Sequence, residues 1–161
     1  MQINVGNFYF INDEFFDIID DLELMQNKEN GTKRPCYFCF KSKYNDKIIW
    51  FIPVSTKVEK YKGIYNNKIN KQIKLGKKPS IDTIVFGYVS NVYSTFLIQN
   101  MFPVTEEYIE SQYKKNNVAI TLSNKLQKEI ISKANKVLTL YNNGMKRIIF
   151  PDIDKILSKL L

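Results

Sequence analysis

Residues 33–57 read KRPCYFCFKSKYNDKIIWFIPVSTK, and this stretch decides the fold. Its two apolar runs, 35–41 and 48–54, are rich in aromatic and β-branched residues, the types that pack on a pleated surface. Asn45-Asp46 between them supplies turn chemistry. The stretch therefore predicts an antiparallel β-hairpin. Arg34 precedes its first strand, and Ser55, Thr56 and Lys57 follow its second, so cations and hydroxyls are expected at one end of a sheet.

Outward from the hairpin, the pattern is mixed. Residues 3–11 predict a first strand, and 13–25 an acidic amphipathic helix with Phe15, Phe16, Ile19 and Leu22 toward the core. QNKENGT (26–32) reads as a polar loop. Residues 55–80 break the alternation, being polar, lysine-dense and closed by Gly76 and Pro79. Two further strands are expected at 81–89 and 93–102. Residues 105–116 predict a short helix, because Glu106 and Glu107 at its start and Lys114 and Lys115 at its end suit the macrodipole. The strongest helix spans 123–142, with Leu126, Ile130, Ile131, Ala134, Val137, Leu138 and Tyr141 in one stripe and Asn143-Gly144 as its stop. A short β-like piece at 146–150 leads to Pro151-Asp152, which opens a terminal helix carrying Ile153, Ile156, Leu157 and Leu160.

With 161 residues, no repeat and no dividing linker, residues 1–161 are expected to form one domain. Hydrophobic residues at 44% and aromatics at 14% exclude a disordered chain. No run nears the roughly 20 apolar residues of a membrane span, and the first residues carry no basic start before an apolar stretch. A soluble, cytoplasmic protein without membrane partners is expected. Cys36 and Cys39 form a CxxC, but residues three apart on a strand face opposite ways. With no histidine and no other cysteine to complete a ligand set, they read as buried structural thiols in a reducing compartment, and neither metal nor cofactor is expected.

Charge is unevenly placed. The chain carries 24 Lys+Arg against 16 Asp+Glu, a net +8. Between positions 57 and 78 eight lysines face one acid, Glu59, which makes +7 there alone. The basic segment, 56–80, interleaves Lys60, Lys62, Lys68, Lys71 and Lys74 with Tyr61 and Tyr65. Lysines for phosphates and rings for bases are the footprint of an RNA surface, to which Lys33 would add. The bland reading is a solvated lysine-rich loop, but compositional bias would spread over the whole chain. Thr56 with Glu59 also fits a T-x-x-E capping box, in which Thr56 starts a helical turn and Ser55 equally caps. Against that, the Ser55 hydroxyl and the Lys57 ammonium are placed to meet one phosphate.

In order and spacing, NFYFI (7–11), R-P (34–35), FIPVSTK (51–57), FLIQNMFPV (96–104) and RIIFPDIDKIL (147–157) resemble the ToxN/AbiQ/CptN family, the endoribonuclease toxins of type III toxin–antitoxin systems. The resemblance implies an α+β fold, a compact and strongly bent antiparallel β-sheet or barrel of Kid/MazF-like type with surrounding helices. It implies metal-independent cutting of adenine-rich RNA, mRNA included, and a role in phage defence. It also implies a partner, a repeat-encoded RNA pseudoknot that inhibits the toxin and joins it in a closed ring. Ser55 and Lys57 fall on the family's active-site serine and lysine, and Arg34, or Lys33 beside it, on a basic residue before the first hairpin strand. Val54 stands where a threonine often precedes the serine and Phe15 where a tyrosine stands. Either the remaining residues suffice, or Thr56 and a nearby tyrosine such as Tyr9 take those roles.

The chemistry follows from RNA itself. Its 2′-hydroxyl is a built-in nucleophile, so a protein need only align the attack, stabilise the charged phosphorane and protonate the departing 5′-oxygen. Two other readings share these residues. One is a non-catalytic RNA-binding translational regulator; the other is a MazF-like ribonuclease toxin with a protein antitoxin.

Overall fold

A computed structural model describes residues 1–25, 28–29 and 32–161. The chain opens with β1 (Phe8–Ile11) and α1 (Asp13–Ile19). The Asn12 side chain accepts the Phe15 amide at 3.1 Å, and Asp20 ends the helix in the left-handed conformation (φ 48°). This helix is shorter than expected, because a non-glycine residue in that region cannot continue a right-handed helix. Phe15 and Ile19 are buried, whereas Leu22, expected in the core, is fully exposed. Within the expected polar loop, β2 (Lys28–Glu29) and β3 (Thr32–Lys33) pair as a small antiparallel ladder, and positions 26, 27, 30 and 31 lie outside the described residues.

β4 (Cys36–Lys41) and β5 (Ile49–Ser55) form the predicted hairpin, with a bulge between Phe38 and Phe40. The basic segment then departs from expectation. It is a helix, α2 (Val58–Lys74), whose inner face sets Tyr61, Ile64 and Tyr65 against Ile84, Phe86 and Leu97. Lys68 completes that face: its Nζ donates to Thr83 Oγ1 at 2.9 Å and to Gln99 Oε1 at 3.0 Å. β6 (Ile84–Val89) and β7 (Val92–Leu97) make a second hairpin. The strand expected over 93–102 breaks at a 3₁₀ turn, Ile98–Asn100, after which β8 (Phe102–Val104) returns to β5.

The helix expected over 105–116 does not form. A 3₁₀ turn (Glu106–Tyr108) leads into β9 (Ile109–Gln112), which is pinned to β1, and β10 (Lys114–Lys115) turns back on β11 (Val118–Ala119). Asn116 and Asn117 both have positive φ, 52° and 63°, the mirror-image two-residue turn that suits a hairpin. Cross-strand pairing outweighs the favourable charge order. α3 (Asn124–Asn142) and α4 (Ile153–Leu160) form as predicted, capped by Ser123 and Asp152 side chains. The β-like piece at 146–150 is instead a 3₁₀ turn, Lys146–Ile148, following Gly144 at φ 107°.

The sheet runs β6-β7-β5-β4-β1-β9, with β8 beside β5, and all its pairings are antiparallel. Among the described residues β6 and β9 are free edges, so the expected barrel does not close. β5 explains the shape: Ile49–Phe51 pair with β8, while Val54 and Ser55 pair with β7. α3 packs against β4 and against the edge strand β6 and so covers one face of the sheet. The core beneath is aromatic, with Phe8, Tyr9, Phe15, Tyr37, Phe38, Phe51, Phe96 and Phe102 almost wholly buried. Burying such a ring contributes roughly 1.5–3 kcal/mol, so this cluster dominates the folding energy.

Candidate active site and nucleic-acid interface

The C-terminal end of β5 collects what the sequence suggested, on two sides of the strand. On one side lies a groove of about 380 Å³ whose polar lining includes Lys33, Arg34, Thr56, Ser94, Tyr113 and Lys115. Arg34 enters it from the start of β4 and is nine-tenths buried, with Nη1 donating to the Val54 carbonyl at 3.1 Å. This bond ties the guanidinium to the residue just before Ser55. Lys33 pairs with Glu110 of β9. Val54 and Thr56 alternate onto the groove, as strand periodicity requires.

Ser55 lies between them and is paired in register with Thr95 of β7, so the two side chains share the other face. Ser55 is buried, and its Oγ accepts the Lys57 amide at 3.2 Å, which fixes the turn carrying Thr56 and Lys57. The Thr95 hydroxyl beside it is wholly buried and finds no hydrogen-bond partner among the described residues. Lys57 is exposed and occupies the N-cap of α2 without a side-chain cap bond, so the N-cap falls one residue after the Thr56 that a T-x-x-E box requires there. α2 thus begins directly after the cluster, and its positive dipole end favours an anion there.

Arg34, Lys33 and Thr56 therefore meet in the groove, while Ser55 and Lys57 belong to the α2 side of the same strand end. Tyr9, the candidate stand-in tyrosine, is sealed in the core, its hydroxyl accepting the Asn4 amide at 2.7 Å. Of the basic segment, Lys60, Lys62, Lys71 and Lys74 are exposed. Tyr61 is buried, Tyr65 packs edge-on to Phe86 at 5.6 Å, and Lys68 turns inward. Burial, and then the charge of Lys71, pushes the Lys68 pKa below its ordinary value. Sequence reasoning missed Ser94, Tyr113 and Lys115, which reach the groove from a second hairpin and from a stretch read as helical. Among the described residues no three acidic, cysteine or histidine side chains gather as a metal cage would require. Cys36 and Cys39 are both buried and unpaired, and desolvation pushes the Cys36 thiol up to about 12 and Cys39 higher still.

No family profile and no curated protein matches the chain. Solved structures do match, among them two at a TM-score of 0.68 and 15% identity, each over 98% of this chain and 96% of theirs. One is AbiQ, a lactococcal anti-phage endoribonuclease of a type III toxin–antitoxin system. The other belongs to a bacterial type III system in which a non-coding RNA pseudoknot selectively inhibits the toxin. At this identity the likeness is one of fold, and it extends along nearly the entire chain.

Proposed function

We propose that the chain is an endoribonuclease toxin of a type III toxin–antitoxin system, with its active site at the end of β5. One observation carries the reading: in a fold of this type, Arg34 and Thr56 line a polar groove at the strand end from which Lys57 opens a basic helix. Arg34 and Lys57 supply positive charge for the non-bridging oxygens as the phosphorane forms. Thr56 orients the phosphate from the groove side. Ser55 acts through the turn it holds, placing Thr56 and Lys57. The 2′-hydroxyl attacks in line, and the products carry 2′,3′-cyclic phosphate and 5′-hydroxyl ends. Neither metal nor cofactor takes part, and adenine-rich mRNA in the cytoplasm is the substrate. The exposed lysines of α2 hold a structured antitoxin RNA, in a ring of alternating protein and RNA, and the system serves phage defence of the kind AbiQ exemplifies.

Purified protein is expected to cut single-stranded RNA in EDTA, to leave those ends, and to spare DNA, which lacks the nucleophile. Lys57→Ala should lower the rate roughly 10²- to 10⁴-fold, the scale of a lost charge-stabilising group, and Ser55→Ala should lower it as well by releasing the turn that places Thr56 and Lys57. A strict Mg²⁺ requirement or 3′-hydroxyl products would overturn the mechanism. The burial of Ser55 and the bond its hydroxyl accepts from the Lys57 amide favour one competing reading, a protein that only binds RNA. Tight RNA binding by the wild-type chain with no cleavage would select it.

A further inference from the structure

β5, β7 and β6 lie side by side, and their register sets Ser55 opposite Thr95 and Thr95 beside Phe86. Directly opposed residues project from one face of a sheet, so this row and the next, Tyr93 with Tyr88, share the face that α2 covers. The helix covers only its inner part, where Tyr61, Ile64 and Tyr65 pack. Tyr88 remains 62% exposed and Tyr93 37%. The rings are continuous: Phe86 and Tyr93 stack with centroids 6.3 Å apart at 18°, and Tyr93 and Tyr88 lie 4.9 Å apart. Lys62 Nζ stands 5.3 Å from the Tyr93 ring.

We propose that Tyr88 and Tyr93, backed by Phe86 and flanked by Lys62, form a stacking platform for unpaired bases of single-stranded RNA adjoining the Ser55 end. The proposal rests on the ribonuclease reading and gives its substrate strand a track. Adjoining exposed rings beside clustered lysines are how proteins hold single strands with little regard to sequence, and the +7 of residues 57–78 makes a polyanion the complementary occupant. Strand spacing puts Phe86 roughly 10 Å from Ser55, and the tyrosine row stands roughly 7 Å further along the strands. A few nucleotides cover that distance. The ammonium over Tyr93 is a weak, exposed contact. An arriving base displaces it from the ring, and the ammonium then meets that nucleotide's phosphate.

The test uses a short, fluorescein-labelled adenine oligomer with 2′-O-methyl sugars, which binds but offers no nucleophile, titrated across a salt series. Tyr88→Ala and Tyr93→Ala should each weaken binding roughly 5- to 100-fold with the salt slope unchanged, the loss of one stacked base. Tyr93→Phe should bind like wild type. Lys62→Ala should flatten the slope by up to about 0.7. Wild-type affinity in the Tyr88→Ala/Tyr93→Ala double variant would overturn the platform while leaving the ribonuclease reading intact. A wild-type chain that neither binds this oligomer nor cuts its ribose counterpart would sink both. The tyrosine pair is also a cross-strand contact, so melting curves accompany the titrations, and a binding loss wholly explained by unfolding would assign the pair to hairpin stability instead.

Discussion

Arg34 is held by the backbone it serves. Its Nη1 donates to the Val54 carbonyl, one residue before Ser55, while its side chain borders the groove. A guanidinium presents five donors in a fixed fork, and a lysine ammonium presents a compact point charge. Arg34→Lys should therefore keep the charge yet loosen the end of β5, because the guanidinium's bond to the Val54 carbonyl is lost. A hydrogen bond made by a charged group contributes about 1.5–3 kcal/mol, so melting should fall by several degrees and cleavage at least about tenfold. Scanning calorimetry and single-turnover rates check both. The cysteines offer a second residue-scale prediction. Burial raises both thiols, Cys36 to about 12, so the reactive thiolate is scarce near neutral pH. Neither should react with a thiol reagent at pH 8 while the chain is folded, and both should react on denaturation. Rapid labelling of the native protein would contradict their burial.

Among the elements, α2 shows why one sequence pattern was legible and another was not. The β4–β5 hairpin could be read because its apolar runs and turn residues agree, and α3 because a stripe and both caps agree. In α2 the inner face is part apolar and part lysine, Tyr61, Ile64, Tyr65 and then Lys68, so periodicity fades halfway along. The same fact divides its lysines. Lys68→Ala should lower thermal stability by removing the bonds to Thr83 and Gln99. Lys71→Ala and Lys74→Ala should stay within about 0.5 kcal/mol of wild type but weaken RNA binding at low salt. The Lys68 pKa is depressed, so as pH rises the folded chain gives up this proton before the unfolded chain does. In that window, just below 10.5, the unfolded state binds more protons and stability gains with pH. Lys68→Met should flatten that gain. The candidate site was legible to the same degree: Arg34, Ser55, Thr56 and Lys57 follow from one hairpin, whereas Tyr113 and Lys115 depend on β9 pairing with β1 across the sheet, which no local pattern encodes.

Over the whole molecule, the sheet stays open and α3 packs across it, reaching the edge strand β6. That packing is tight at one point: a Cβ on Gly87 would stand 2.4 Å from Leu126 Cδ2. Leu126 is partly exposed and can swing aside for a single methyl, so Gly87→Ala should be mild. Gly87→Val should push α3 off β6 at a cost of about 1–3 kcal/mol, read as a melting shift of about 2–10 °C. Because β6 carries Phe86 and Tyr88, the same variant should also disturb RNA binding; unchanged melting would mean that the helix is not seated as described. The two faces of α2 answer to different constraints. Its anchors, Tyr61, Ile64, Tyr65 and Lys68, answer to the sheet, and any change there is tested by folding. Lys60, Lys62, Lys71 and Lys74 answer to whatever polyanion meets them. Selection can therefore rewrite the outer face one residue at a time while the scaffold stays constant, so a lineage can change what it binds without ever passing through an unfolded ancestor.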